Sequence, residues 1–372
     1  MEHSSNRIPA LTFDQRVVAL DLLRGYFLFV MIIDHLGRFP GLFDLLTGRD
    51  KMWVSAAEGF FFISGIVTAI ARNRDAAKRG LRAAAMNMWK RAGVLYLWAV
   101  GLTLFFTALA FAVGEHRPGL KAGVIGREAY GHIFYRAATF EYVYGWTDFL
   151  PYYVMFLLAA PLALWLLRRD WWWAVATASA GVWLSSSRFE CRWQVLFFGG
   201  MIAGFYLPAL ERWFHRSERM VQRIVVATVI GLAGVTVVVN AGLLYLEPRV
   251  AALGWRDAAV IGQWNVWLAP HFDKGLLPLP RLLMFALWFA AIYLIFRRYE
   301  TVIGRYLGWF FLPLGLNSLF AYIAHGLVVT AVALALPRPT SLLTNFAIAS
   351  GVLLLIWGAT VMSSRWRSPL RS

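Results

Sequence analysis

Ionisable side chains stand at helical spacing inside the first apolar segment of the chain. Arg24 and His35 lie eleven positions apart in the run RGYFLFVMIIDH. At 100° per residue this spacing returns to within ~20° of the starting direction, so one helix face would carry both side chains about 16 Å apart along the axis. Charged groups in a membrane helix are costly unless they are paired or face a polar cavity, so they usually mark a functional site. The imidazole beside the carboxylate of Asp34 indicates general acid–base chemistry.

A second carboxylate, Glu58, belongs to the next apolar segment. If the first helix runs outward and the second returns, Glu58 lies roughly one and a half turns below the external face, at nearly the depth of His35. Asp34, His35 and Glu58 are then a candidate catalytic cluster, in which a carboxylate orients the ring and raises its basicity. The alternative is a structural ion-pair network that holds helices together. We favour the catalytic interpretation, because a structural role does not explain two carboxylates and an imidazole near one end.

Another polar set lies in a later apolar segment. Ser318, Tyr322 and His325 fall at positions i, i+4 and i+7 and therefore on one helix face, with Asn317 adjacent. In membrane helices such residues often form interhelical hydrogen bonds, which is the alternative to lining a substrate cavity. We predict a lining role for these four residues and do not favour a catalytic role for His325.

The elements that must position these residues are membrane helices. Hydrophobic residues make up 60% of the chain, which is typical of polytopic membrane proteins with runs long enough to cross ~30 Å of hydrocarbon. The net charge is +16, but the basic residues lie between apolar runs, as the positive-inside rule requires, so we expect no nucleic-acid partner. The lone Cys191 excludes an intramolecular disulfide and a multi-Cys zinc site, and no metal site is predicted.

The hydropathy pattern predicts an all-α, polytopic integral membrane protein of about ten transmembrane helices in a single membrane-embedded domain, 1–372. The expected spans are 17–36, 53–71, 86–113, 149–167, 171–186, 193–210, 221–246, 281–299, 308–335 and 341–363. The distribution of basic residues places both termini, as tails 1–16 and 364–372, in the cytoplasm. The long segments 114–148 and 247–280 are then extracytoplasmic loops that form a lid or a polar-ligand surface, or are plain connections. Ser64 and Gly65 predict close helix contact in the second span.

Several segments together resemble one family of membrane proteins. The resemblance to the OpgC family of membrane acyltransferases begins with LDLLRGYFLFVMIIDH and SAAEGFFFISG. It continues in FLPYYVMFLLAAPL (149–162), RFECRWQVLFFGGMIAG (188–204), DKGLLPLPRLLMFALW (273–288) and LPLGLNSLFAYIAH (312–325). That family is part of the wider acyltransferase-3-like group, whose hallmark is an Arg and a His separated by ten residues in the first helix. The resemblance touches most of the chain, in family order.

The resemblance implies transfer of a succinyl or acetyl group from cytoplasmic acyl-CoA to a hydroxyl of an extracytoplasmic glycan, such as a periplasmic glucan, at the bacterial inner membrane. Acyl-CoA is a co-substrate, no permanently bound cofactor is expected, and membrane lipid and the glycan are the other partners. The basic residues of the inside loop would attract the CoA phosphates, with topology signalling as the alternative. The candidate donor-binding residues are Arg24, Arg72, Arg74 and Arg91. Arg192 is a candidate to meet the sugar or a succinyl carboxylate, with solvated loop charge as the alternative.

In the implied reaction, His35 is the general base that deprotonates the sugar hydroxyl, a role worth about 10²–10⁴-fold in rate. Asp34 or Glu58 would hold the tautomer, and a transient acyl-histidine relay is the competing mechanism. A proton-coupled transporter or a flippase for a glycan or glycolipid also needs ionisable residues inside helices. Transport would predict inverted repeats, and the sequence shows no convincing internal repeat. A structural scaffold has little reason to carry Arg, Asp, His and Glu in its first two spans.

Overall fold

The structure is a computed structural model that describes residues 17–113, 131–145, 147–252, 258–336 and 341–367. These residues form fifteen α-helices and no β-strand. In chain order the helices are α1 (Val18–Leu36), α2 (Asp44–Thr47), α3 (Ala56–Arg79), α4 (Leu81–Val113), α5 (Ile133–Ala138), α6 (Phe149–Leu167), α7 (Trp172–Ser185), α8 (Phe189–Arg216), α9 (Arg219–Ala252), α10 (Ala258–Leu268), α11 (Leu279–Arg298), α12 (Glu300–Tyr306), α13 (Gly308–Leu316), α14 (Ser318–Ala335) and α15 (Leu342–Arg367). Short 3₁₀ turns cover Gly48–Asp50 and Ala269–Phe272.

Seven helices in the described part of the chain are long and apolar enough to cross a membrane. They are Leu81–Val113, Phe149–Leu167, Cys191–Arg216, Arg219–Tyr245, Leu279–Arg298, Ser318–Ala335 and Leu342–Ser364. The regular structure of the described residues is entirely helical, and the apolar helices are those of a multi-pass membrane protein, which confirms the coarser part of the predicted fold class. The total of ten spans and the cytoplasmic position of both termini stay predictions.

The three remaining predicted spans also form helices, but they differ from the seven in charge or length. The helix α1 carries Asp21, Arg24 and Asp34 within its 19 residues, so no window of it is purely apolar. The helix α3 ends in the charged run around Lys78 and Arg79. The helix α7 has 14 residues, and at 1.5 Å per residue it covers about 21 Å, less than the ~30 Å of hydrocarbon.

Three predicted segments differ in secondary structure from the expectation, while the extracytoplasmic position of the two loops stays a prediction. The expected span 308–335 is two helices, α13 and α14, which meet at Asn317 with non-helical φ −111° and ψ 40°. The break falls at a residue whose side chain competes for backbone hydrogen bonds, four positions after Pro313. The expected loop 247–280 is largely helical where it is described, because α9 continues to Ala252 and α10 follows from Ala258. The expected loop 114–148 contains α5, and its residues 114–130 lie outside the described part.

The described residues fall into two compact units. The first unit lies within Met1–Met31, Leu45–Ile70 and Val182–Leu316. Its helices approach one another at glycines: a Cβ on Gly65 of α3 would lie 2.0 Å from the backbone oxygen of Phe197 in α8. On the other side of the same crossing, a Cβ on Gly204 of α8 would lie 2.5 Å from the oxygen of Ile66. Small residues allow such close backbone contact between membrane helices, as the sequence predicted for Gly65.

The second unit lies within Ile32–Asp44, Ala71–Gly181 and Asn317–Ser372. Its core includes the ring of Phe106 from α4, which stacks on Tyr144 at 5.3 Å and 17°. Gly326 of α14 lies beside the same ring, since a Cβ there would be 3.7 Å from Phe106. The glycine thus lets α14 approach the Phe106 ring of α4 closely.

Candidate active site

Two histidines far apart in the sequence meet in the second unit. Nδ1 of His35, near the end of α1, lies 2.9 Å from Nε2 of His325 in α14. The ring centroids are 4.9 Å apart and the ring planes are inclined by 32°. His325 is only 1% exposed, whereas His35 is half-buried. In this histidine pair (His35 and His325), one ring is enclosed by protein and the other keeps part of its surface accessible.

A third group sets the direction of the proton in the histidine pair. Nδ1 of His325 lies 3.2 Å from the carbonyl oxygen of Tyr322, one turn earlier in α14. A carbonyl oxygen only accepts, so Nδ1 of neutral His325 carries the proton and its Nε2 is an acceptor. His35 therefore donates from Nδ1, which leaves the lone pair of its neutral ring on Nε2. The hydrogen bonds thus assign Nε2 as the basic nitrogen of His35.

Arg38, three residues after His35, ties the same region to the end of α14. Its Nη2 donates to the carbonyl oxygens of Val332, at 3.3 Å, and Leu336, at 2.9 Å. The Val332 carbonyl also accepts from the backbone N–H of Leu336 at 3.0 Å. The C-terminus of a helix carries partial negative charge, so a buried guanidinium there complements the helix dipole. Arg38 is 6% exposed. It therefore fixes the segment that follows His35 against α14.

The predicted polar face of α14 is buried within the second unit. Ser318, Tyr322 and His325 are 8%, 5% and 1% exposed. The ring of Tyr322 packs against Phe149 of α6 with centroids 5.7 Å apart. Asn317 is the break before α14 rather than a residue within the helix. The structure gives His325 a partner in His35, while a cavity-lining role for the other three residues stays a prediction.

Glu58 has charged and polar partners within the first unit. Its Oε1 accepts from Nε of Arg281, at 2.6 Å, and lies 2.5 Å from Nη2 of the same guanidinium. Its Oε2 accepts from the backbone N–H of Ser55, at 3.0 Å, and from the Ser55 hydroxyl. Nη1 of Arg281 donates to the carbonyl of Phe272, at 2.6 Å. These contacts are those of the structural ion pair that was the alternative, so we expect Glu58 to stabilise the fold. The predicted role of Glu58 in orienting His35 is the competing hypothesis, which activity per folded molecule tests.

The remaining α1 candidates lie on one uninterrupted helix. Arg24 and Asp34 are both half-buried, and the helix runs without a break from Val18 to Leu36. The spacing on one face that the sequence predicted for Arg24 and His35 therefore holds. The roles of Arg24 in binding the donor and of Asp34 in catalysis stay predictions.

Of the candidate donor-binding residues of the second unit, Arg72 contacts Asp75. Nη1 of Arg72 donates to Oδ2 of Asp75 at 2.5 Å, and Nδ2 of Asn87 donates to the same oxygen at 3.2 Å. The guanidinium of Arg91 lies 5.9 Å from the ring centroid of Tyr153, and Arg74 is half-buried. The sequence predicted these residues in an inside loop, but Arg72 and Arg74 lie in α3 and Arg91 lies in α4. Their contact with CoA phosphates stays a prediction.

Arg192 is not simply a solvated loop charge. It lies in the first turn of α8, where its Nε donates to the carbonyl oxygen of Ser186 and its Nη1 to that of Leu276, both at 2.7 Å. These bonds hold two backbone segments of the first unit together. Acceptor binding by Arg192 stays a prediction beside this positioning role.

Sequence reasoning missed the roles of Arg38 and Arg281. Both arginines are buried, at 6% and 3% exposure. A signal was available for Arg281, because an arginine inside an apolar run needs a partner in the protein. Arg38 follows the last turn of α1 in the sequence HLGRFPG. Basic residues are common at the ends of membrane helices, so nothing in the sequence indicated that Arg38 is buried.

Comparison with known proteins found one family. The sequence model of a family described as OpgC protein matches residues 16–368, nearly the whole chain. The searches of curated proteins and of solved structures gave no match.

Proposed function

The chain belongs to the OpgC family, which is associated with acyltransferase activity and glucan modification, and on this premise we propose that it is a transmembrane O-acyltransferase. It moves a succinyl or acetyl group from cytoplasmic acyl-CoA to a hydroxyl of an extracytoplasmic glycan, such as a periplasmic glucan. Its place is the bacterial inner membrane, with both termini in the cytoplasm.

The observation that supports this reaction is the 2.9 Å hydrogen bond between Nδ1 of half-buried His35 and Nε2 of His325, which orients the His35 ring. Acyl transfer to a sugar hydroxyl needs a base with a pKa near the working pH, and an imidazole supplies one. The hydroxyl proton passes to Nε2 as the sugar oxygen bonds to the thioester carbonyl carbon. The tetrahedral intermediate then collapses, the C–S bond breaks, and the CoA sulfur takes the proton back from Nε2. The products are an acylated glycan and CoA with a free thiol.

In this reaction His325 acts through His35. When Nε2 of His35 gains a proton, the ring becomes an imidazolium whose Nδ1–H still donates to Nε2 of His325. A preorganised acceptor stabilises this charge and keeps the ring orientation, as the buried carboxylate does in a Ser-His-Asp triad. A neutral imidazole does this without adding a second buried charge. His325 is therefore a positioning residue.

The length of α1 fits transfer across the membrane. At 1.5 Å per residue, Arg24 lies about 16 Å along the helix from His35, so a long thin pantetheine arm would lie between a guanidinium at the donor side and the base at the acceptor side. Arg72, Arg74 and Arg91 would meet the nucleotide phosphates at the cytoplasmic face.

The test is transfer of radiolabel from succinyl-CoA and acetyl-CoA, supplied separately, to a periplasmic glucan by the purified protein in lipid nanodiscs. The proposal expects label in the glucan with one of the donors, in an ester that mild alkali cleaves. Labelled protein that persists when glucan is omitted and that releases label to hydroxylamine would indicate the acyl-histidine relay instead. No label transfer to glucan with either donor would contradict the proposed reaction.

A further inference from the structure

A cavity of about 520 Å³ lies within the first unit. Its walls come from α1, α3, α9, α11 and the segment 45–55, and α9 and α11 contain the candidate spans Arg219–Tyr245 and Leu279–Arg298. The volume falls in the range of about 300–1,000 Å³ that is usual for sites of small ligands. The cavity therefore offers room for a ligand at the depth of the membrane helices.

Three polar side chains of the lining donate hydrogen bonds to protein groups. The hydroxyl of Tyr26 donates to a backbone carbonyl at 3.1 Å. The indole N–H of Trp288 donates to the hydroxyl of Thr236 at 2.8 Å, and the hydroxyl of Ser55 donates to Glu58. A sugar or a pantetheine arm needs many hydrogen bonds, and these three side chains have already used their donors on protein groups. A hydrocarbon chain needs only apolar surface, which the remaining lining supplies.

The cavity is elongated along α9. Its lining residues on that helix recur every three to four positions and so form one stripe: Ile230, Ala233, Gly234, Val237, Ala241 and Tyr245. From first to last this stripe covers about 22 Å, more than the ~15 Å of hydrocarbon in one leaflet. A Cβ on Gly234 would meet no heavy atom within 4 Å. The stripe therefore borders open space that is long enough for a lipid tail.

One end of the stripe carries a cation. Tyr245 lies at the end of the apolar run of α9, two positions before Glu247, and the guanidinium of Arg49 lies 5.7 Å from the Tyr245 ring centroid. Thr47 and Gly48, which directly precede Arg49, line the cavity themselves. Arg49 thus lies where the apolar span ends, which is the level of lipid phosphates. A guanidinium at this level complements a phosphate diester.

From these observations we propose that the cavity binds one acyl tail of an anionic phospholipid, with the lipid phosphate beside Arg49. The apolar lining selects the tail and the guanidinium selects the charge of the headgroup. The proposal goes beyond acyl transfer, and it holds or fails whichever acyl donor and acceptor the protein uses.

Two glycines of α9 provide a matched test. Gly234 lines the cavity and Gly231, one turn away, does not, yet an added Cβ meets no heavy atom within 4 Å at either position. Native mass spectrometry of the detergent-purified protein, titrated separately with phosphatidylglycerol and phosphatidylcholine, measures the lipid that each variant retains. Gly234→Phe should lose most of the phosphatidylglycerol that the wild-type protein retains. Gly231→Phe should retain it at the wild-type level.

The variant Arg49→Gln tests the headgroup without filling the cavity. This variant should reduce the preference for phosphatidylglycerol over phosphatidylcholine about fivefold. One basic residue near an anionic lipid changes the binding constant by about this factor. Wild-type retention by Gly234→Phe, equal retention of the two lipids by the wild-type protein, or occupancy by detergent or free fatty acid alone would each overturn the proposal.

Discussion

Each unit buries a polar pair, and the two pairs are built in opposite ways. In the first unit, Glu58 and Arg281 are opposite charges whose side chains are 0% and 4% exposed, and both carboxylate oxygens accept hydrogen bonds. In the second unit, His35 and His325 are two imidazole rings joined by a 2.9 Å hydrogen bond. The His35 ring belongs to a half-buried residue, and an imidazole, unlike a guanidinium, can exchange a proton near neutral pH.

The comparison indicates that the ion pair contributes to stability and the histidine pair to chemistry. Removing one partner of a buried ion pair leaves an uncompensated charge and lowers the free energy of unfolding by about 3–5 kcal/mol. The pair therefore stabilises the fold once it has formed. A neutral imidazole held by one nitrogen can exchange a proton at the other, which is what a general base requires. Changes to the histidine pair should therefore affect turnover, and changes to the ion pair should affect folding.

The largest effect is expected for His35→Ala. Loss of the base should lower the rate of label transfer to glucan by about 10²–10⁴-fold, while the elution profile and the thermal unfolding midpoint stay at wild-type values. His215→Ala is the matched control, because His215 is an exposed histidine at the end of α8. Near-normal transfer by His35→Ala would remove His35 from the mechanism.

Changes to the Glu58–Arg281 ion pair should lower the stability of the protein. Glu58→Gln leaves the Arg281 guanidinium buried without its counter-charge and should lower the free energy of unfolding by about 3–5 kcal/mol, seen as a reduced midpoint in thermal unfolding. The double variant Glu58→Leu with Arg281→Leu should recover much of this loss.

An exposed ion pair of the same unit is the control for Glu58→Gln. Lys274 and Asp50 are 39% and 44% exposed, so Asp50→Asn should change stability by no more than about 1 kcal/mol. Equal midpoints for Glu58→Gln and Asp50→Asn would show that the Glu58–Arg281 pair does not stabilise the first unit.

A smaller effect on turnover is expected for His325. His325→Ala removes the acceptor for Nδ1 of His35 and should lower label transfer about tenfold to a hundredfold, the range seen when groups that orient a functional side chain are lost. His325→Gln should retain more activity, because its amide oxygen can accept the same N–H. The control is His271→Ala, since Nδ1 of His271 also lies near a carbonyl one turn earlier, that of Trp267 at 3.0 Å. Identical losses in the Ala and Gln variants would contradict the hydrogen-bonding role.

The smallest effect should follow from Arg38→Ala. Loss of the hydrogen bonds to the end of α14 should destabilise the protein by about 1.5–3 kcal/mol, measured by thermal unfolding, and should reduce label transfer less than His325→Ala does. The exposed arginine of α4, as Arg82→Ala, is the control. A wild-type midpoint for Arg38→Ala would show that these contacts do not hold the two segments together.

The sequence predicted well what depends on local pattern. The apolar runs predicted the positions of the seven candidate spans. The spacing of eleven residues between Arg24 and His35 predicted that they share one face of α1, which is one continuous helix. It predicted less well what depends on tertiary partners. Helical periodicity shows which side chains share a face, but not which helix lies opposite, so it did not pair His35 with His325 across 290 positions.

The same limit explains Glu58. Its buried charge signalled that a partner was needed, and the nearest imidazole in depth was the natural candidate. The partner in the structure, Arg281, lies 223 positions away at the start of α11. Hydropathy also merged α13 and α14 into one span, because a single Asn317 interrupts the helix without interrupting the apolar run.

The most direct measurement is label transfer per folded molecule for Glu58→Gln and His35→Ala, with the folded fraction of each preparation taken from its monodisperse elution peak. We expect Glu58→Gln to transfer at the wild-type rate per folded molecule and His35→Ala to transfer at background. The account would be contradicted if Glu58→Gln were as inactive per folded molecule as His35→Ala, which would make the carboxylate part of the catalytic cluster, or if His35→Ala transferred normally.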